Sequence, residues 1–283
     1  MEIVRQLDLG QLIRAALAED VGQGDVTTAA TVPEGQAGRA RITVKEPDEI
    51  VFCGGFMFEK VFALTGGDPQ IVFLARDGVR LPGDTIAAEI EGRLAGLLIG
   101  ERVALNFVQL MSGIATATRR YVDAIAGSRA RIIDTRKTHP GLRALEKYAV
   151  RCGGGTNHRF GLDSGVLIKE NHIAAAGGIG RALERARAVA PHTFRIQIEC
   201  ETLPQVEEAL TAGATSILLD NMTMDEMRQA RRITGGAVIL EASGGITLDS
   251  VCAVAETGVD LISVGALTHS VKAVDLSMRI EIV

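Results

Sequence analysis

The residue types best able to do chemistry gather between residues 129 and 172. There Arg129, Arg131, Arg136, Lys137, Arg143, Lys147, Arg151, Arg159 and Lys169 outnumber Asp134, Glu146, Asp163 and Glu170, and His139, His158 and His172 share the window. The chain as a whole carries a formal net charge of −5. An acidic protein that concentrates cations on one segment focuses its field on something small and negative, because a long polyanion needs a broad basic face. The expected ligand is a small, multiply charged anion.

The elements that must hold these residues can be read around them. Ile132 and Ile133 give a short apolar strand signal, followed by the polar run Asp134, Thr135, Arg136, Lys137 and Thr138 and stopped by Pro140 and Gly141. Val166, Leu167 and Ile168 repeat the arrangement, with Lys169, Glu170, Asn171 and His172 at the end. Parallel α/β folds bind ligands at the carboxyl ends of their strands. Any one of these cations alone reads best as a solvated surface charge. Two strands ending in cationic clusters, with Gly153 to Gly155 and the pair His158 and Arg159 between them, favour a site.

Strand and helix continue to alternate. Residues 194–198 end in Glu199, Cys200 and Glu201; residues 216–219 end in Asp220 and Asn221; residues 238–240 end in Glu241 and the run Ser243, Gly244 and Gly245; residues 261–264 end in Gly265 and Ala266. Helical patterns over residues 203–212 and 224–233 separate them. The repeat of strand, polar end and helix predicts a parallel α/β barrel, TIM-like but incomplete. Glycine loops after the last two strands are where barrel enzymes bind phosphate through backbone N–H groups, so Ser243, Gly244, Gly245, Gly265 and Ala266 are candidates for that role. Glu199 and Asp220 end neighbouring strands and suit ribose hydroxyls, a magnesium ion or a developing positive charge. A structural ion-pair network of these two acids with nearby Lys and Arg is an equal reading on residues alone. His139 and His269 read as hydrogen-bonded core or loop histidines, and no two histidines share a metal-ligand spacing, so no metal site built from histidines is expected.

Before the barrel the period differs. Residues 9–18 have helical spacing, and Asp25, Thr27 and Thr28 in the loop that follows read as a turn cap. Ala40, Ile42 and Val44 alternate with polar residues as a half-buried strand, residues 49–53, 71–75 and 85–90 read as further strands, and residues 54–64 as a helix. A small α+β domain over residues 1–110 is predicted, joined by a C-terminal strand within residues 271–283, with the barrel over residues 111–270. The passage from Asp77 to Gly92 has the hammerhead-like turn pattern of biotinyl and lipoyl carrier domains, but carries no lysine at a hairpin tip. Residues 101–125 read as a long helix apolar almost all round, hence buried in the chain or against a second subunit.

Composition sets outer limits. Of 283 residues, 47% are hydrophobic and 23% charged, as in an ordinary globular protein rather than a disordered one. Aromatics are 4% with no tryptophan, and the balance is acidic, which argues against nucleic-acid binding. Cys53, Cys152, Cys200 and Cys252 are scattered, which reads as free thiols. The first residues lack a basic and then apolar leader, and no uninterrupted apolar run reaches the ~18 residues of a spanning helix, so no membrane association and a cytoplasmic location are expected.

The motifs DTRKTHPGLR from Asp134, RCGGGTNHRFGL from Arg151 and LIKENHI from Leu167 closely resemble those of the quinolinate phosphoribosyltransferases, also called carboxylating nicotinate-nucleotide pyrophosphorylases. The resemblance runs from EDVGQGDVTT at Glu19 to EASGGI at Glu241 and SVGALTHS at Ser263. It implies transfer of phosphoribosyl from phosphoribosyl pyrophosphate, with Mg2+, to the ring nitrogen of quinolinate, with loss of carbon dioxide. Nicotinate mononucleotide and pyrophosphate are then the products, and no organic cofactor is needed. It further implies Lys137, Glu199 and Asp220 in catalysis, and Arg102, Thr135, Arg136, His158, Arg159 and Lys169 among the substrate contacts. Arg102, in the sequence Gly100-Glu101-Arg102, would reach into the site of a partner in a homodimer. Two positions before Glu199, where that family often has an acid, this chain has Gln197, on the same strand face as Glu199.

Other readings share parts of this pattern. A phosphoribosyltransferase for another pyridine carboxylate needs fewer cations, and a molybdenum-transport-associated relative fits these motifs less fully. An aldolase-like barrel would use Lys137 or Lys169 as a Schiff base over the same phosphate loops. A non-catalytic assembly protein explains the buried helix but leaves the concentrated charge unexplained.

Overall fold

A computed structural model describes residues 8–283. The part of the leader reading that falls on residues 1–7 lies outside them. The chain divides into two compact units. One takes the described residues up to Arg119 together with His139–Gly154 and Ser270–Val283, and the other takes Arg120–Thr138 and Gly155–His269.

The first unit opens with α1 (Gly10–Val21), which buries Ile13 and Leu17, and α2 (Val26–Thr31). Asp25 caps α2, its Oδ1 accepting from the backbone of Thr27 and Thr28 at 3.0 Å each, which makes it the turn cap read from the sequence. An antiparallel sheet follows, made of β1 (Ala37–Val44), β3 (Gln70–Phe73), β5 (Ile86–Arg93) and the C-terminal β12 (Leu276–Ile282), in the order β12-β1-β5-β3. Ala40, Ile42 and Val44 are buried, while Arg41 on the other face pairs across both neighbours with Glu89 and Glu281, each at 3.1 Å. A short pair, β2 (Ile50–Val51) with β4 (Arg80–Leu81), and α3 (Phe56–Leu64) complete the small domain.

The long helix α4 runs over Leu94–Ala124, starting seven residues before the sequence reading. Gly96, within those seven residues, serves close packing: a Cβ there would collide with the backbone of Gly67. By length and composition α4 could cross a membrane, but 56% of its most apolar window is buried in the protein, as for a core helix. Helix α5 (Arg143–Cys152) also belongs to this unit. Tyr148 anchors it, donating its hydroxyl to Asp77 at 2.5 Å and meeting Phe56 edge-on with ring centroids 5.7 Å apart.

The second unit is a parallel sheet of β6 (Arg131–Ile133), β7 (Val166–Ile168), β8 (Ile196–Cys200), β9 (Ser216–Asp220), β10 (Ile239–Ser243) and β11 (Leu261–Ser263). Its order, β6-β11-β10-β9-β8-β7, sets the first strand beside the last, as a barrel requires. Thr156 forms an isolated parallel bridge to Ile133, and among the described residues nothing pairs it onward to β7. The barrel is therefore incomplete, open between residue 156 and β7. Helices α6 (Glu170–Ala176), α7 (Ile179–Val189), α8 (Leu203–Thr211), α9 (Met224–Thr234), α10 (Val251–Glu256) and α11 (Ala266–His269) alternate with the strands. Thr202 with Gln205, and Thr223 with Glu226, form reciprocal caps that fix where α8 and α9 begin. Each cap lies just beyond a strand end, so it also fixes the residues in between.

Candidate active site

The carboxyl end of β6 is braced by Asp134, which is fully buried. Its Oδ1 accepts from the backbone of His158 at 2.8 Å and its Oδ2 from the Asn157 amide at 2.6 Å. One carboxylate thus sets the backbone that presents His158 and Arg159. The Thr135 hydroxyl oxygen accepts from the Lys137 backbone at 3.0 Å, so Thr135 shapes the turn that carries Lys137. Thr268 donates to the Lys137 carbonyl at 2.6 Å, tying that turn to α11. A Cβ placed on Gly265 would meet His269 Nε2 at 3.1 Å and Lys137 Cδ at 3.3 Å. Lys137 and His269 therefore both lie over the glycine loop after β11. The sequence reading made His269 a loop histidine, and its place over this loop adds it to the candidates.

Arg159 feels two influences in the same direction. Partial burial, and then the positive charge of Arg136, pull its guanidinium below the usual arginine range. Arg159 is held by donating to the Gly165 carbonyl at 2.9 Å. Two guanidinium groups near enough to feel each other concentrate positive charge that suits an anion with more than one carboxylate.

His158 is held at both ring nitrogens. Nδ1 accepts from the Arg159 backbone at 2.7 Å, so the proton of the neutral ring lies on Nε2, which donates to Gln197 Oε1 at 3.2 Å. Gln197 in turn donates to Glu241 Oε2 at 2.7 Å, and Ser263 donates to Glu241 Oε1. Glu241 is 1% exposed, and these donors satisfy its buried carboxylate. The sequence reading placed Gln197 on the face of Glu199 but did not join it to His158, Glu241 or Ser263.

Beyond this layer, Lys169 Nζ donates to Glu199 Oε2 at 2.7 Å, across the ends of β7 and β8. Asp220 closes β9, and its Oδ2 accepts from the Asn221 amide at 2.7 Å. Asn221 has a positive φ of 54° and donates its backbone to the Ser243 carbonyl at 2.9 Å. Gly244 follows with φ of 101°, and a Cβ there would collide with Asn221 Oδ1. Only glycine fits at that point, and Asn221, which the candidate set omitted, is the reason. Gly245 also has positive φ, 59°.

The unit thus joins Arg136 with Arg159, Lys169 with Glu199, Lys137 with the loop of Gly265 and Ala266, and Asp220 with Ser243 and Gly244 through Asn221. Arg102 lies exposed on α4 in the other unit. His139 is a structural histidine, as read from the sequence: its Nδ1 lies 2.5 Å from Glu146, whose carboxyl burial pushes up while the His139 hydrogen bond pulls it down.

Comparison with known proteins agrees with this arrangement. Residues 25–112 match the model of the quinolinate phosphoribosyl transferase N-terminal domain, and residues 114–279 that of the C-terminal domain. The chain is similar to a probable carboxylating nicotinate-nucleotide pyrophosphorylase of Bacillus subtilis, with 45% identity covering 99% of this chain and 96% of that one. It is 43% identical to the carboxylating nicotinate-nucleotide pyrophosphorylase of Mycobacterium leprae, covering 94% and 95%. The crystal structure of NadC from Streptococcus pyogenes superposes with a TM-score of 0.92 at 39% identity, covering 97% of both chains. With both domain models matched in order, and an incomplete parallel barrel whose rim gathers Arg136, Arg159, Lys169 and Glu199, the chain belongs to the quinolinate phosphoribosyltransferase family.

Proposed function

We infer that this protein transfers phosphoribosyl from phosphoribosyl pyrophosphate to quinolinate and releases carbon dioxide, the step that yields nicotinate mononucleotide in de novo NAD biosynthesis. The observation that carries the reading is the cationic rim itself: Asp134 sets the backbone that presents His158 and Arg159, Lys169 is held against Glu199 at 2.7 Å, and Arg136 lies near enough to act on the Arg159 charge, an arrangement suited to two carboxylates on one small ring.

The ring nitrogen attacks the anomeric carbon as its bond to the pyrophosphate oxygen breaks. Magnesium arrives with phosphoribosyl pyrophosphate as part of the substrate. The leaving group gathers negative charge, which Lys137 offsets beside the loop of Gly265 and Ala266. Ser243, Gly244 and Gly245 offer backbone N–H groups to the phosphates. Glu199 and Asp220 face the sugar and offset the positive charge that develops on it; Lys169, paired with Glu199, is placed to link the sugar and pyridine ends. Once the N-glycosidic bond has formed, the ring nitrogen is cationic. The adjacent carboxylate leaves as carbon dioxide, its electron pair stays on the ring carbon, and a proton takes its place. Arg102 completes the site of a partner in a homodimer, as the family resemblance implies; its exposed position on α4 is compatible with that role.

The test is an assay of purified protein with phosphoribosyl pyrophosphate, Mg2+ and either quinolinate or nicotinate, following mononucleotide and carbon dioxide together. Equal amounts of both products from quinolinate, with nicotinate inert, are expected. Product from nicotinate would overturn the dicarboxylate assignment.

A further inference from the structure

The opposite end of the barrel is also lined with arginine. Arg131, Ser216, Ile239 and Leu261 are the first residues of β6, β9, β10 and β11, and Arg195 directly precedes β8. They line a cavity of about 280 Å3 that opens at the amino ends of the strands and reaches inward to His158, Arg159, Gln197 and Glu241. Exposed charges at strand starts are common, and two arginines alone would mean little.

Three observations set this cavity apart. First, the side chains of Arg131 and Arg195 make no hydrogen bond or ion pair among the described residues. The acid nearest to Arg131 along the sheet edge is Asp260, whose carbonyl accepts from the Arg131 backbone at 3.0 Å. Its carboxylate is already taken by Arg231 at 2.5 Å, by the Leu240 backbone at 2.9 Å and by Arg129 at 3.9 Å. Second, Ser216 is 1% exposed, and its hydroxyl has no hydrogen-bond partner among the described residues. The Arg159 Nε is likewise buried without one. Buried donors are rarely left unsatisfied, and each such orphan is costly. Third, the cavity lining sets three arginines, Arg131, Arg159 and Arg195, against one carboxylate, Glu241, whose oxygens are already taken by Gln197 and Ser263. Positive charge is left in surplus within a chain of net charge −5.

We propose that this cavity is a second anion site, at the amino end of the barrel, that takes a dianionic phosphoryl group. Arg131 and Arg195 supply the charge, and Ser216 supplies a buried donor. The volume admits either inorganic phosphate or the phosphate of a small phosphomonoester, and both present the same oxyanion chemistry.

The test uses the full chain with nicotinate mononucleotide and magnesium pyrophosphate at saturation, to fill the catalytic rim, and titrates inorganic phosphate in one arm and ribose 5-phosphate in the other by calorimetry. About one equivalent is expected to bind the native protein, and the tighter arm identifies the source. Arg131→Gln with Arg195→Gln should weaken binding at least about tenfold, and Ser216→Ala about threefold, with kcat and KM for quinolinate within about twofold. Crystals soaked in selenate should show an anomalous peak touching Arg131, Arg195 and Ser216. Arg195→Gln alone, checked by thermal melting, replaces the double variant if that one does not fold. No binding beyond the rim, unchanged binding in the arginine variants, or a selenate peak without binding in solution would overturn the proposal. Loss of turnover in the native protein would instead count against the catalytic reading.

Discussion

Lys169 Nζ lies 2.7 Å from Glu199 Oε2, one partner half-exposed and the other 7% exposed. The pair closes the ends of two adjacent strands with opposite charges. Lys169→Ala strands a buried carboxylate, which should cost about 1–3 kcal/mol of stability, less than a fully buried pair because the lysine is half in water. Turnover with quinolinate should fall on the order of 100-fold. Denaturant melts of both single variants and the double variant measure the coupling; additive losses would show that the pair contributes nothing.

The contacts of His158 fix its tautomer. Nitrogen-15 spectra of histidine-labelled protein at pH 8 should show Nε2 as the protonated nitrogen and Nδ1 as the bare one. Gln197→Met removes the Nε2 acceptor and should mix the tautomers, while Arg159 loses part of its support and KM for quinolinate rises. An unchanged spectrum in that variant would remove Gln197 from the network.

Gly244→Ala combines a positive φ with a collision at Asn221. A loss of about 1–3 kcal/mol is expected, together with a KM for phosphoribosyl pyrophosphate raised by about tenfold. If KM for quinolinate rises instead, the loop serves the other substrate.

The thiols should differ sharply in reactivity. Burial pushes Cys200 up to about 12, helped by the nearby charges of Glu199 and Glu208, so it stays protonated, and inert, at pH 8. Cys252 is exposed, whereas Cys53 and Cys152 are buried. Iodoacetamide at pH 8 should modify Cys252 first, and the other three only after denaturation, as read by peptide mass spectrometry.

A shared site in a homodimer predicts subunit complementation. Arg102→Ala and Lys137→Ala should each leave about 1% of activity or less. Random reassortment of equal amounts should restore about a quarter of native activity, because half the dimers are mixed and each mixed dimer has one intact site. No recovery, with mixed dimers confirmed by native mass spectrometry, would place Arg102 in its own subunit's site or in none.

Much of the fold was legible because its causes are local. The alternation of Ala40, Ile42 and Val44 predicts a half-buried strand, and β1 buries those three residues. Asp25 sits beside the backbone groups it caps, and Glu199, Asp220 and Lys169 stand at or beside the ends of apolar runs that become β8, β9 and β7. The first seven residues of α4 lay outside the sequence reading: Gly96 lowers helix propensity locally, and only the fold shows the Gly67 backbone that requires a glycine there.

The sequence by itself determined the strand ends, the helix caps, the family motifs and the concentration of cations, since each follows from side chains within a few residues of one another. Only the tertiary structure decided which of those groups are engaged. Gln197 meets Glu241 across 44 positions, Asp134 meets the His158 backbone across 24, and Gly244 must be glycine because of Asn221, just past the end of β9. Helix α5, which follows β6 in the chain, packs with the other unit through Tyr148 and Asp77, 71 positions apart. Buried polar groups take whatever partner the folded chain brings within hydrogen-bond reach, and proximity along the sequence does not record that choice.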